Sequence, residues 1–136
     1  MKLHKKSLEV SYNSVVTLRV MLSFIFIVAS INHFFKTEKI VSRIENATMG
    51  FIGYILGTPE IAVILSGIVM FIAGILLLTG FKSQIAATVL ILVLIPITLT
   101  IQVGQMSTLG PLFKNVAILG GLLFFSINSN LKIQKQ

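Results

Sequence analysis

Four apolar stretches, each long enough to cross a bilayer, constrain this chain more than any other feature of its sequence. They cover residues 15–35, 61–81, 85–103 and 109–127. A helix needs about 20 mostly apolar residues to span the hydrocarbon core of a membrane. The third stretch is rich in β-branched residues, but it is too long and alternates too little to be a barrel strand. We therefore expect an all-α, polytopic membrane protein: one domain, residues 1–136, forming a bundle of four transmembrane helices.

Charge is too scarce in this chain to cover a water-soluble domain. Asp, Glu, Lys and Arg make up 11% of the residues, against about 25% in a typical soluble domain. The net charge of +7 is spread thinly, which argues against a nucleic-acid partner and leaves the lipid bilayer as the expected environment. Because the chain has no cysteine, iron–sulfur clusters, thiolate zinc sites and cysteine nucleophiles are excluded.

The connections between the stretches carry local signals. Residues 36–60 begin with a charged part that predicts a short surface helix. Residues 49–56 are apolar but too short to span, which predicts an interfacial or re-entrant segment between the first and second transmembrane helices. Gly80 suits the left-handed conformation that follows a helix end, and Ser83 is suited to capping the third transmembrane helix.

The distribution of lysine and arginine predicts the orientation in the membrane. Seven basic residues fall on the side that carries both chain ends, and four fall on the other side. The positive-inside rule therefore places the N- and C-termini in the cytoplasm. A cleaved signal peptide, with a small-residue site at residues 28–30, is the competing interpretation. The first group is Lys2, Lys5, Lys6, Arg19, Lys82, Lys132 and Lys135, and the second is Lys36, Lys39, Arg43 and Lys114.

Polar side chains form one stripe on the first transmembrane helix. At 100° per residue, Ser23, Ser30 and His33 fall within about 40° of Arg19, so the stripe is expected to face the bundle. Two interpretations stay open. The stripe lines a cavity for a quinone head group, an anion or a lipid head group, or else Arg19 and His33 reach out to the two membrane surfaces.

The fourth transmembrane helix raises the same alternatives at Lys114, which either faces a cavity or reaches the membrane surface.

No catalytic or metal site is expected, because the chain has two histidines far apart and no carboxylate inside any apolar stretch. Any redox cofactor would therefore be held by a partner. In the third transmembrane helix, Thr98, Gln102 and Gln105 are spaced to hydrogen-bond across helices.

Three segments resemble conserved segments of the DoxX-like family of small membrane proteins. They are RVMLSFIFIVASINHF at residues 19–34, GILLLTG at residues 74–80 with Lys82 after it, and KNVAILGGLL at residues 114–123. Carried over by position, the polar residues of the family pattern are Arg19, Asn32, His33, Lys114 and Asn115. Many relatives have a glutamate four residues before the first glycine of the second segment, where this chain has Met70, so Arg19 lacks that counter-ion.

The resemblance implies a four-helix protein of the bacterial inner membrane. Relatives are associated with oxidoreductase assemblies, including a thiosulfate:quinone oxidoreductase and a complex with a superoxide dismutase and a sulfurtransferase. It therefore implies an accessory or quinone-facing subunit with no covalently bound cofactor, working with a soluble or peripheral oxidoreductase. A ligand-free scaffold and an oligomeric carrier or channel subunit are the alternatives. The candidate ligand-binding residues are Arg19, Ser23, Ser30, His33, Lys114 and Asn115.

Overall fold

Four long helices dominate the computed structural model, which describes residues 10–128 and 133–134. Two 3-10 helices, Gly50–Tyr54 and Met106–Thr108, lie in the connections. The four long helices begin and end within three residues of the predicted transmembrane stretches, so the all-α polytopic prediction is confirmed. The α-helices are α1 (Tyr12–Phe35), α2 (Thr37–Glu45), α3 (Pro59–Thr79), α4 (Ser83–Gln102) and α5 (Leu109–Ile127).

A short pair of strands joins the segment before α1 to a segment that follows α5. Strand β1 (Val10–Ser11) precedes α1, and strand β2 (Ile133–Gln134) follows α5. The two pair in parallel, with Val10 opposite Ile133. The start of α1 and the end of α5 therefore lie at the same end of the bundle, and the turn between α1 and α2 lies at the other end.

The outer surface of the long helices is apolar. In the most apolar window of each helix only 22–33% of the residues are buried. Large side chains such as Phe24, Ile72, Leu92 and Val116 face outward instead. Soluble proteins rarely expose so much contiguous apolar surface, whereas lipid chains contact it without cost. The four long helices are membrane-spanning.

The bundle core takes one or more fully buried side chains from each long helix. Phe26, Leu77, Leu90 and Leu122 meet there, joined by Met70. Dispersion contacts of this kind hold transmembrane helices together, because lipid is as apolar as the core and supplies no hydrophobic drive. Met70 therefore occupies a packing position at the centre of the bundle.

Helices α1 and α3 form the most extensive helix pair, and glycines on α3 allow the close approach. A Cβ at Gly67 would lie 3.0 Å from the Cβ of His33, and one at Gly74 would lie 3.1 Å from Cγ1 of Ile27. Small residues at such contacts let two transmembrane backbones pack closely. This approach brings the end of α1 against the first half of α3.

The turn between α3 and α4 is tighter than the sequence suggested. Gly80 is left-handed, with φ 78°, as predicted. The predicted cap at Ser83 is wrong: Ser83 is already the first residue of α4, and the cap position is Lys82, with φ 47° and no side-chain cap bond. Two left-handed residues within three positions turn the chain so sharply that helical geometry resumes before Ser83 can act as a cap.

The connection between α1 and α3 folds against the bundle. Helix α2 packs Val41 and Ile44 against Val63 of α3, while its charged residues Lys39 and Arg43 stay exposed. The 3-10 helix Gly50–Tyr54 follows and contacts α2, α3 and α4. The surface helix and the short apolar segment predicted from sequence are therefore both present, and together they cover the end of the bundle away from the chain ends.

Candidate functional site

A cavity of about 490 Å³ lies under α2 and the first 3-10 helix, between α3 and α4. Its volume falls in the range of about 300–1,000 Å³ that small-molecule sites occupy. The wall is almost entirely aliphatic, and only three side chains bring a polar group to it: His33, Ser66 and Thr100. The aliphatic lining residues that matter below are Ile40, Ile44, Leu65, Val69, Leu92, Val93 and Pro96.

The cavity is reachable from the lipid side of the bundle. Leu65 on α3 and Leu92 on α4 both line it, and both are also exposed on the outer surface of membrane-spanning helices. Ile55 and Leu56, after the 3-10 helix, line it and are exposed as well. The lining of the cavity therefore continues onto the apolar outer surface of α3 and α4.

One corner of the cavity holds a hydrogen-bonded group formed by α1 and α3. His33 Nδ1 lies 3.0 Å from the Val63 carbonyl oxygen and 3.0 Å from Ser66 Oγ. Ser66 Oγ also donates to the Val63 carbonyl at 2.9 Å. Because a carbonyl oxygen only accepts, we assign the imidazole proton to Nδ1, which donates to Val63 and to the Ser66 hydroxyl oxygen. The neutral ring then carries a lone pair on Nε2.

The Nε2 atom of His33 makes no hydrogen bond within the described residues. In that part of the chain only Arg19 Nε and Gln102 Oε1 are fully buried side-chain polar atoms without a partner. The unbonded Nε2 is therefore accessible rather than sealed in the core, and it belongs to a residue that lines the cavity.

The opposite wall of the cavity is α4. Thr100 is buried, and its Oγ1 donates to the Pro96 carbonyl at 2.6 Å, so the hydroxyl oxygen has lone pairs left to accept. Pro96 has no N–H, so the Leu92 carbonyl loses its usual helical donor. Leu92 and Pro96 both line the cavity. Both the corner at His33 and Ser66 and the wall formed by α4 therefore have more hydrogen-bond acceptors than free hydrogen-bond donors.

The remaining residues of the predicted stripe do not reach this cavity. Ser23 and Ser30 are completely buried and face the bundle, as the helical spacing predicted. Their hydroxyls donate to carbonyls of their own helix, Ser23 to Arg19 and Ser30 to Ile27, each at 2.7 Å. The stripe is therefore inward-facing, but within the described structure its two serines are occupied by helix α1 itself.

Arg19 lies at the other end of the bundle, about 21 Å from His33 along α1. Its guanidinium packs against Gly80, where an added Cβ would lie 2.5 Å from Nη1. Gly80 follows the last residue of α3, and the carbonyl end of a helix attracts a cation. The Arg19 guanidinium therefore lies beside the carbonyl end of α3, while its Nε is buried without a hydrogen-bond partner among the described residues.

Lys114 and Asn115 lie on different faces of α5. Lys114 is exposed, which places it on the outer surface of the bundle. Asn115 is buried, and its Nδ2 donates to Thr98 Oγ1 on α4 at 2.9 Å. Neither residue lines the cavity. The predicted cross-helix role of Thr98 is therefore present, with Asn115 as its partner.

Of the six candidate residues only His33 lines the cavity, and sequence reasoning missed its companions. Ser66 was visible as one of several small residues on the second apolar stretch, and Thr100 as one polar residue among many aliphatic ones. Neither position carries a signal on its own, because the contact between His33 and Ser66 joins residues that are 33 positions apart. Only the packing of α1 on α3 brings them together.

The lining of the cavity is mostly aliphatic, with hydrogen-bonding side chains on three residues. Its lining includes no carboxylate and no lysine, and the chain has no cysteine. Among the described residues no three metal-ligating side chains come together. The site therefore combines a large apolar volume with a few hydrogen-bonding groups at one corner, as is typical of sites for lipid-soluble molecules.

Comparison with known protein families identifies a match over most of the described helices. The model of the DoxX family matches residues 14–103, which is about two thirds of the chain. That range covers α1 from its third residue, and α2 to α4 in full, and so includes His33, Ser66 and Thr100. It ends before α5 and leaves out Lys114 and Asn115. No curated protein and no solved structure matches the chain.

Proposed function

The chain belongs to the DoxX family, and we propose that it is an accessory, quinone-facing subunit of a membrane-associated oxidoreductase system. The observation that carries the proposal is the cavity at His33: an apolar volume of about 490 Å³, open to lipid, with its polar groups gathered on few residues. A quinone has the complementary form, since it combines a flat ring bearing two oxygens with an apolar tail and travels within the bilayer.

The fit of a quinone to the residues present rests on two features. The aliphatic wall made by Val69, Val93 and Leu92 suits the ring face and the tail. The polar groups of the lining are gathered at the corner formed by His33 and Ser66, which favours an orientation with the oxygen-bearing edge of the ring at that corner. The exposed positions of Leu65 and Leu92 support a tail that extends outward into lipid.

An accessory role follows from what the cavity lining lacks. Transferring electrons to or from a quinone requires a redox group, and the lining offers no thiol or carboxylate to hold a metal. We therefore infer that this chain holds and orients the lipid-soluble molecule, while a soluble or peripheral partner supplies the electron-carrying group.

The orientation predicted from the basic residues indicates which half of the membrane contains the cavity. If both termini are cytoplasmic, the cavity lies in the half of a bacterial inner membrane that faces away from the cytoplasm, because it is at the opposite end of the bundle. Lys36, Lys39 and Arg43 then lie on the outer surface, where α2 covers the cavity. A partner on that side would contact α2 first.

Quinone binding to the purified protein in lipid nanodiscs tests the proposal. We expect saturable binding of decylubiquinone, and about a tenfold loss of affinity when Val69→Phe fills the cavity. The matched control is Val116→Phe, the same change on the lipid-facing side of α5, which should bind as the unchanged protein does. Absence of saturable binding, or equal affinity in both variants, would contradict a site at this cavity.

The partner is tested separately by extraction in a mild detergent. We expect the protein to co-purify with an oxidoreductase whose flavin, haem or iron–sulfur absorbance is visible in the complex. A protein that emerges alone, without such absorbance, would remove the accessory-subunit role. If it also binds no quinone, a ligand-free scaffold explains the chain better.

A further inference from the structure

The hydrogen-bonding groups of the cavity offer acceptors where a ligand would meet them. The proton on His33 Nδ1 is used within the protein, by the Val63 carbonyl and the Ser66 hydroxyl oxygen. The Ser66 proton is used by the Val63 carbonyl, and the Thr100 proton by the Pro96 carbonyl. With the ring neutral, what remains for a ligand is the lone pair on His33 Nε2 and those on the two hydroxyl oxygens.

We propose that the cavity selects a hydroxyl-bearing, lipid-soluble aromatic, a quinol, over the corresponding quinone. This inference rests on the proposed function and names the redox form that the site prefers. A quinone presents only carbonyl oxygens, which would meet the Nε2 lone pair without a hydrogen between them. A quinol presents an O–H, which can donate to Nε2 while its own oxygen stays at the polar corner.

The proton on Nδ1 determines that Nε2 acts as a hydrogen-bond acceptor and not as a donor. If the one N–H proton of the neutral imidazole could lie on either nitrogen, Nε2 could donate as easily as accept. The Val63 carbonyl oxygen, 3.0 Å from Nδ1, is unable to donate and therefore holds the proton on that nitrogen. The Leu92 carbonyl, which Pro96 deprives of its helical donor, adds another acceptor to a lining residue.

A redox-inert pair of ligands isolates the donor from other differences. A long-chain 4-alkylphenol has the hydroxyl donor, and its O-methyl ether keeps the ring, the tail and the oxygen but has no donor. Binding of both to the protein in nanodiscs, at about pH 8 where an ordinary histidine is neutral, should favour the phenol by about tenfold. A straight-chain alcohol of equal length tests whether an aliphatic lipid alcohol is the preferred source of the hydroxyl.

Variants assign the preference to the residues named. His33→Phe should lower the affinity for the phenol about tenfold and leave that for the ether unchanged, so that the two ligands bind alike. Thr100→Val should reduce the preference by a smaller factor, without disturbing the contact between α1 and α3. Thr79→Val is the matched control, because Thr79 Oγ1 also donates to a carbonyl of its own helix but lies outside the cavity. Its phenol preference should equal that of the unchanged protein.

The outcomes separate this inference from the proposed function. Equal affinity for phenol and ether, or tighter binding of the ether, overturns quinol selection while leaving a quinone-facing cavity intact. Tighter binding of the straight-chain alcohol than of the phenol overturns the assignment to a quinol. If none of the three ligands and no quinone binds, the proposed function itself fails. A phenol preference that is lost in His33→Phe supports the inference.

Discussion

The buried hydrogen bond between α4 and α5 tests how the helices of this bundle are held together. Asn115 Nδ2 donates to Thr98 Oγ1 at 2.9 Å, and Thr98 Oγ1 donates to the Leu94 carbonyl. Asn115 is 5% exposed and Thr98 is 6% exposed, so neither water nor lipid head groups can replace a lost partner. Changing Thr98 to Val removes the hydroxyl at nearly constant shape and leaves the Asn115 amide unpaired.

The expected magnitude follows from the burial of this pair. A buried donor without a partner costs about 1–3 kcal/mol, and we expect the lower part of that range because denatured helices in a membrane also find partners. Thr98→Val should therefore lower the free energy of unfolding by about 1–2 kcal/mol. Asn115→Leu is the second change of a double-mutant cycle. The coupling free energy between the two substitutions should be about 0.6–1.7 kcal/mol, so that the double variant is more stable than the summed costs of the two single substitutions predict.

Unfolding by dodecyl sulfate in mixed micelles, followed by circular dichroism, measures all four proteins of the cycle. Thr88 and Ser126 give a matched control, since their hydroxyl oxygens also join α4 to α5, at 2.8 Å, but on the exposed surface. The coupling of Thr88→Val with Ser126→Ala should be near zero. Additive costs at Thr98 and Asn115, within about 0.3 kcal/mol, would refute the reasoning.

Four further predictions concern single positions and the chain ends. Gly67→Leu should lower the free energy of unfolding by about 1–3 kcal/mol in the same assay, because the new Cβ would crowd His33. Gly120→Leu is the control: an added Cβ there has no neighbouring atom within 4 Å, so the free energy of unfolding should change by less than about 0.5 kcal/mol. Gly80→Ala should cost more than about 1 kcal/mol, since φ is 78° there and the Arg19 guanidinium fills the space; wild-type stability would contradict that packing. Ser30→Ala should leave the affinity for decylubiquinone unchanged, because the Ser30 hydroxyl donates to its own helix. A tenfold loss of affinity would indicate that the ligand binds along the polar stripe of α1 instead. Reporter fusions should place both termini in the cytoplasm, and a reporter outside the cytoplasm at one end would contradict the orientation.

Much of the fold was predictable because lipid imposes it. A stretch of about 20 apolar residues has few alternatives to a membrane-spanning helix, and the four helices lie within three residues of the predicted ends. The error at Ser83 has a local cause. A capping residue is recognised from sequence only when the turn before it has ordinary geometry, and the left-handed conformation of Lys82 is not visible in the sequence.

The site was less predictable because it depends on which helices meet. The spacing of Ser23, Ser30 and His33 correctly predicts that these residues face the bundle: both serines are buried, and His33 contacts Val63 and Ser66 of α3. It does not reveal that both serine hydroxyls donate to their own helix, or that His33 is the one member of the three that lines a cavity partly covered by α2. Val63 fixes the position of the imidazole proton through its backbone carbonyl oxygen. Every residue type has that carbonyl, so the contact could not be predicted from the sequence.

Photoaffinity labelling in native membranes tests the central claim most directly. A lipid-soluble azidoquinone, followed by peptide mapping, should label the first half of α3 around Ser66 and the second half of α4 between Leu92 and Thr100, and excess unlabelled quinone or quinol should prevent it. Labelling centred on Arg19 and Gly80 at the other end of the bundle, or spread over the lipid-facing surface without competition, would contradict a quinone-facing site at the His33 cavity.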